Sequence, residues 1–164
     1  MNIAKAQKAI FNELLKGNFR MRRFAIDEHY VSITPDGYMA YIFPASTVYF
    51  RLERIEEMPP VPVFEIIKPE NELKLLPDLR LDERRHMMYR RLYKPGKNVF
   101  VNVKFLECFQ NPKFYQAENP HSSIIVTESI GRGTKTTGET PVGLVLPIRS
   151  SWDDGTYYGT VEGV

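Results

Sequence analysis

Apolar residues near the start of the chain recur every three or four positions, which is the spacing of an α-helix. The apolar stripe consists of Ile3, Ala6, Ile10 and Leu14. The opposite side carries a second regular set, called the basic row below, which consists of Lys5, Lys8, Asn12 and Lys16. The pattern predicts an amphipathic helix over residues 3–16, with Gly17 as its C-cap, that buries the stripe and exposes the row.

After residue 18 the helical spacing gives way to alternating apolar and polar positions, which are typical of β-strands. Segments 19–26, 29–34 and 38–43 fit this pattern. Pro35, Asp36 and Gly37 separate the last two segments and predict a tight hairpin turn. Residues 46–58 are ambiguous, because their apolar positions fit either a strand or one helical face. We expect a strand there that ends near Arg54.

Prolines dominate the middle of the chain. Residues 56–85 contain Pro59, Pro60, Pro62, Pro69 and Pro77. Because proline has no backbone N–H to donate, prolines this dense argue against central strands and helix interiors. The sequence therefore predicts a long connection that contains short strands at residues 63–67 and 72–75.

The second half of the chain returns to regular patterns. Residues 86–93 alternate as a strand, and an apolar strand at residues 99–101 then leads into Asn102. The Asn102 side chain suits an N-cap, and Val103, Leu106 and Phe109 follow at helical spacing. Segments 122–128 and 142–149 predict two further strands. The glycine-rich loop 131–138 precedes a strand rather than a helix, so it does not fit a phosphate-binding loop.

Composition narrows the class of protein without naming a partner. The 164 residues, 43% apolar and 26% charged, fit one soluble globular domain. A net charge of +2 is too mild to identify a nucleic-acid-binding protein. Cys108 is the only cysteine, so no intramolecular disulfide can form. The first residues lack the apolar run that a leader or a membrane span requires, so we expect neither. We expect a cytoplasmic protein that does not associate with membranes.

Two groups of arginines are candidates for phosphate binding. The first consists of Arg20, Arg22 and Arg23, and the second of Arg84, Arg85, Arg90 and Arg91, with Tyr89 and Tyr93 interleaved. The second group suits base stacking, although a half-exposed strand explains it equally simply and is the interpretation we favour. The three histidines are isolated, and the carboxylates occur as adjacent pairs typical of turns. We therefore expect no enzymatic activity, no metal site and no cofactor.

The order strand, short helix, strand, loop, strand over residues 99–149 resembles the last half of a DNA sliding-clamp domain, the module of bacterial polymerase clamps. The first half matches in kind, because a helix followed by strands (residues 3–54) precedes strands, a helix and two strands (residues 86–149). The resemblance implies an α+β, clamp-like fold in which two helices pack on antiparallel β-sheets. It departs from the family in its long proline-rich connection and in lacking a strand before the first helix.

The resemblance also implies an organisation and a function. It implies one clamp-like domain over residues 1–150, followed by a C-terminal tail over residues 151–164. The implied function is a non-enzymatic DNA-binding or DNA-processing accessory module whose helices face double-stranded DNA. The implied DNA contacts are Lys5, Lys8, Asn12, Lys16, Arg20 and Lys104. Further copies of the chain and replication or repair proteins are the implied partners. The alternative is a protein-interaction or assembly module on the same fold that does not bind DNA.

Overall fold

A computed structural model describes residues 1–83, 85–130, 138–148 and 160–161. Its helices are α1 (Ile3–Leu15), α2 (Val63–Ile66) and α3 (Val103–Leu106). Its strands are β1 (Arg22–Ala25), β2 (Tyr30–Thr34), β3 (Met39–Pro44), β4 (Glu56–Met58), β5 (Glu72–Asp82), β6 (Met87–Lys94), β7 (Lys97–Asn102), β8 (Lys113–Tyr115), β9 (Ile124–Ile130), β10 (Gly138–Val145) and β11 (Thr160–Val161). The α+β class predicted from the sequence is confirmed.

The strands join in the order β4, β1, β2, β3, β10, β9, β8, β5, β6, β7, and β11 pairs with β5. Among the described strands, β1 and β4 pair in parallel and every other pair is antiparallel. The sheet is therefore mixed but mainly antiparallel, as the sequence predicts, and the β1–β4 pair is the departure from that prediction. The Ile148 amide donates to the Phe100 carbonyl at 2.8 Å, so the chain beyond β10 returns to the edge strand β7 and the sheet curls.

Side chains of β3 alternate between two packed layers. Met39, Tyr41 and Phe43 point toward the layer that contains α1 and α3. Ala40 and Ile42 point the other way, into a cluster with Val63 of α2, Tyr115, Ile125 and Leu144. Successive side chains of a strand point to opposite faces of a sheet, so a central strand covered on both faces is apolar throughout. Helices α1 and α3 therefore lie on one side of the sheet, and the short helix α2 lies on the other.

Helix α1 begins and ends at the residues that its sequence predicts, within one position. The Asn2 side chain accepts from the Lys5 amide at 3.0 Å, which caps the first turn. Gly17 has a φ of 69°, and the amides of Gly17 and Asn18 donate back to Leu14 and Glu13, a Schellman ending. Ile10 is fully buried, as predicted, whereas Leu14 is only half-buried. Ile3 is 37% exposed, so its predicted burial is wrong, because it starts the helix beyond most of the packing.

The hairpin around Gly37 is confirmed, but the segment after it differs from the prediction. Strands β2 and β3 pair across the turn, where Gly37 has a φ of 85°. Instead of a strand that ends near Arg54, the chain forms two short 3₁₀ turns, Ala45–Thr47 and Leu52–Arg54, and β4 follows. The residues predicted as a strand at 63–67 form α2, because the Ile67 amide bonds back to the Val63 carbonyl at 3.2 Å.

Strand β5 contradicts the expectation that the proline-rich stretch excludes central strands. It runs for 11 residues between β8 and β6, and Pro77 lies within it. The pairing with β6 shifts register between Leu75 and Leu79, so Pro77 falls in a bulge where no ladder N–H is required. The Arg90 guanidinium donates two hydrogen bonds, at 2.8 and 3.2 Å, to the Leu76 carbonyl, which the bulge leaves without a partner in the strand ladder.

The later strands are confirmed as β6, β7, β9 and β10. Asn102 caps α3 as predicted, because its side chain accepts from the Lys104 amide at 3.0 Å. Helix α3 is one turn long, so Cys108 and Phe109 lie beyond it, and Phe109 is nevertheless 7% exposed. From the tail, Thr160 and Val161 pair with Arg80 and Leu79 of β5. The loop 131–137, Arg149 and the tail aromatics from Trp152 to Tyr158 lie outside the described residues.

Candidate nucleic-acid interface

The basic row is exposed along its whole length. Helix α1 packs on the sheet through Ala6, Gln7 and Ile10, which are 5%, 2% and 0% exposed. The side chains on the far side of the helix therefore face solvent, and all four members of the row are exposed. Gln7 was missed in the sequence, where it interrupts the apolar stripe. Its amide donates to the carbonyl and hydroxyl of Thr47 at 2.8 and 3.0 Å and fixes how α1 lies on the sheet.

The charges of the row are largely uncompensated. Lys5 and Lys8 form no ion pair with any described residue, whereas Lys16 lies 3.4 Å from Glu13. Hydrogen bonds from Asn18 and then Lys16 hold the pKa of Glu13 below its usual value, so this carboxylate stays charged and offsets part of the Lys16 charge. Glu13 is the only acidic residue in α1. The positive field of the helix is consequently strongest around Lys5 and Lys8.

Of the three arginines that follow α1, Arg20 is the one that faces solvent without an ion-pair partner among the described residues. Arg22 and Arg23 pair with Glu56 and Glu57 of the neighbouring strand β4 at 3.2 and 3.4 Å. They join β1 to β4 rather than extend the row. Arg20 lies in the turn after α1, where its amide donates to the Asn18 side chain at 2.9 Å.

Lys104 is exposed on α3, which lies in the same layer as α1. The Glu128 carboxylate joins the two: it accepts from the Met1 amine and, at 2.7 Å, from the Gln110 amide just beyond α3. Met1 also packs against the core clusters beneath both helices. Helices α1 and α3 therefore lie in one layer, with Lys104 exposed on a different helix from the basic row.

Large apolar side chains that were not predicted as part of the site lie beside the basic row. Phe11 is 37% exposed, Tyr49 63%, Leu15 71% and Phe19 81%. The Phe11 and Tyr49 rings contact each other at 6.0 Å between centroids, and Tyr49 meets Phe50 edge-on at 5.6 Å. Phe11 and Leu15 lie four residues apart and outside the buried stripe, and this spacing in the sequence could have indicated an exposed apolar surface on α1. Phe11, Phe19 and Tyr49 are called the aromatic edge below.

The second group of arginines is occupied within the fold. Arg90 binds the Leu76 carbonyl, and Arg91 lies 3.3 Å from Asp78. Tyr89 is 1% exposed, so its ring is not available to stack on a base. Arg85 lies 3.7 Å from Asp82, and Tyr93 is 37% exposed. Strand β6 is therefore half-exposed, which agrees with the structural interpretation; Arg84 lies outside the described residues.

A cavity of about 680 Å³ lies beside the turn between β6 and β7. Its two lysines are held by backbone carbonyls: Lys94 donates to Glu70 at 2.9 Å and Lys97 to Ala117 at 2.6 Å. Burial lowers the pKa of Lys97, and Lys94 nearby lowers it further. These bonds tie the β6–β7 turn to neighbouring loops, which accounts for both lysines without a ligand.

Within residues 1–83, 85–130, 138–148 and 160–161, His, Cys, Asp and Glu side chains do not gather in a group of three or more that suits a metal ion. None of the described helices combines the length and apolar character that crossing a bilayer requires. Comparison with known proteins finds no matching family model, curated sequence or solved structure.

Proposed function

We propose that this protein is a non-enzymatic accessory module that binds nucleic acid through the basic row of α1. The observation that carries the proposal is the exposure of Lys5, Lys8, Asn12 and Lys16 on one face of a helix that holds a single acidic residue. Lysines neutralise backbone phosphates and release condensed counterions, which gives affinity without base specificity. Arg20 extends the row at one end, and Lys104 adds a contact on the same side of the sheet.

The layered arrangement supports a clamp-like mode of binding. Helices α1 and α3 share one side of the sheet, and duplex DNA is the ligand that a sliding clamp surrounds with its helices. A single row of this size makes few phosphate contacts, so useful affinity needs self-association that adds further rows. We place the protein in the cytoplasm, with copies of itself and replication or repair proteins as partners.

A second candidate function is a protein-interaction or assembly module on the same fold. Leu15 and Phe19 favour it, because they are 71% and 81% exposed. Large apolar side chains grouped on a surface commonly mark binding sites for other proteins. The two candidates differ in one measurable respect, since binding to a protein does not require the charges of Lys5 and Lys8.

The test compares duplex binding by the wild type and by the double variant Lys5→Glu/Lys8→Glu, using fluorescence anisotropy with a labelled duplex. The matched control is Lys68→Glu/Lys74→Glu, which changes the net charge equally at two exposed positions away from α1. We expect the α1 variant to lose at least tenfold in affinity and the control to change little. Equal losses would mean that net charge alone drives binding, and no binding by the wild type would favour the protein-interaction module.

A further inference from the structure

We infer that this interface prefers single-stranded nucleic acid to duplex, because the aromatic edge offers rings on which unpaired bases stack beside the basic row. The inference rests on the nucleic-acid binding proposed above, and it replaces duplex DNA with single strands as the preferred ligand. Single-strand-binding proteins combine a basic track for the phosphates with exposed aromatic side chains for the bases. The following contacts place both features on one surface.

The two features are neighbours on α1. Phe11 follows Lys8 by three residues and precedes Leu15 by four, and residues at these spacings lie next to each other on a helix surface. Lys8 in turn lies four residues before Asn12. The apolar and basic stripes therefore run side by side along the helix, with Phe11 and Lys8 at their boundary.

Tyr49 enlarges the aromatic surface beside Phe11. Its ring is supported by Phe11 at 6.0 Å and by Phe50 at 5.6 Å, while 63% of the residue stays exposed. The turn that precedes it is fixed to α1 by the hydrogen bonds from Gln7 to Thr47. A ring held in place before binding loses little conformational entropy when a base stacks on it.

Phe19 stands at the C-terminal end of the row on a rigid turn. The Asn18 side chain donates to Glu13 and to the Pro35 carbonyl, both at 2.9 Å, and accepts from the Arg20 amide. The Arg22 guanidinium also donates to the Phe19 carbonyl at 2.6 Å. These bonds hold the backbone so that Phe19 is 81% exposed next to Arg20. A base can therefore stack on the Phe19 ring while its phosphate contacts the neighbouring Arg20.

Charge selects the occupant of this surface. Pairing two copies of the chain face to face through α1 would bring Lys5, Lys8 and Lys16 toward their counterparts, which repel one another. A polyanion is attracted by the same charges. In a duplex the bases are stacked and paired with each other, so the rings cannot reach them, whereas a single strand exposes the face of every base. The aromatic edge therefore adds affinity for single strands alone.

The experiment measures binding of the full chain to labelled oligo(dT) and to a duplex of equal length. The variants are Phe19→Ala and Tyr49→Ala, and the controls are Tyr49→Phe, which keeps the ring, and Leu15→Ala, which removes an exposed apolar side chain without a ring. Because these side chains are exposed, we expect unchanged circular dichroism. We expect each alanine variant of an aromatic residue to lose on the order of tenfold for oligo(dT). Duplex binding, and both controls, should change less than about twofold.

The outcomes separate the two proposals. Equal affinity for the two ligands, or equal losses for both in Phe19→Ala, would overturn the preference for single strands and leave the basic row as the binding site. Failure of the wild type to bind either ligand would overturn the proposed function itself. A change of mass by light scattering in Phe19→Ala, with DNA binding unaltered, would show that a second copy of the chain covers the aromatic edge and would also overturn the inference.

Discussion

Gly143 and Phe109 occupy adjoining space in which no further atom fits. A Cβ on Gly143 would lie 2.8 Å from Cε1 of Phe109 and 3.1 Å from the Ala40 carbonyl oxygen. Gly143 follows the register shift between β9 and β10, a bulge that disrupts the regular ladder at this position. The short segment after α3 is thereby fixed to the central strands through a ring that is 7% exposed.

We predict that Gly143→Ala lowers the free energy of unfolding by about 1–3 kcal/mol, because the added methyl group overpacks this contact. Denaturant melts measure the loss. The double variant Gly143→Ala/Phe109→Leu should lose less than the sum of its two single variants, since the smaller side chain makes room for the methyl group. Strict additivity would contradict the contact. Phe109→Ala alone should cost about 3–5 kcal/mol.

Glu128 is expected to anchor the start of α1. Its side chain is 14% exposed and that of Met1 is 3% exposed, and the carboxylate pairs with the Met1 amine and accepts from the Gln110 amide. Removing one partner of a buried ion pair leaves the other charge uncompensated, so Glu128→Gln should destabilise the fold by about 3 kcal/mol. Glu107→Gln, at an exposed position, is the matched control. Equal stability of the two variants in urea melts would show that the pair contributes nothing.

Tyr41 is expected to make the fold sensitive to high pH. Burial, followed by the neighbouring Cys108, raises the pKa of Tyr41 from 10.0 to about 12. The unfolded chain therefore releases this proton at a lower pH than the fold does. The stabilisation is complete below about pH 10 and is lost as the pH rises toward about 12.

Denaturant melts across this pH range, compared between the wild type and Tyr41→Phe, isolate the contribution of Tyr41 from those of the other tyrosines. The wild type should lose more stability than Tyr41→Phe between the two pH values. Identical pH profiles would contradict the predicted shift. Cys108→Ala should bring the pKa of Tyr41 closer to its ordinary value, because the Cys108 Sγ lies 3.9 Å from the Tyr41 hydroxyl.

Periodicity predicted the elements whose packing follows from local sequence. The stripe around Ile10, the hairpin at Gly37 and the cap at Asn102 each involve neighbouring residues, so the sequence contains the whole signal. Strand β5 was misjudged because its bulge at Pro77 is completed by Arg90, which lies 13 residues away and belongs to another strand. The parallel pairing of β1 with β4 likewise depends on long-range contacts that no local pattern reveals.

The sequence predicted only the part of the candidate site that depends on neighbouring residues. The basic row depends on helical spacing alone, and the structure exposes it as expected. The aromatic edge required knowledge of which side of α1 meets the sheet, since Phe11 contacts Tyr49 across 38 positions of sequence that form other elements. The isolation of Arg20 from Arg22 and Arg23 depended on the position of β4 and its two glutamates.

The salt dependence of nucleic-acid binding tests the central claim most directly. If Lys5, Lys8 and Lys16 each neutralise a phosphate, these lysines alone should make the logarithm of the duplex association constant fall with the logarithm of salt concentration at a slope of roughly −3, and contacts by Arg20 or Lys104 would steepen it. The variant Lys5→Glu/Lys8→Glu should bind more weakly with a slope shallower by about 2, because two phosphate contacts are lost. An affinity that does not change with salt, or a slope that the double variant leaves unaltered, would contradict binding through the basic row.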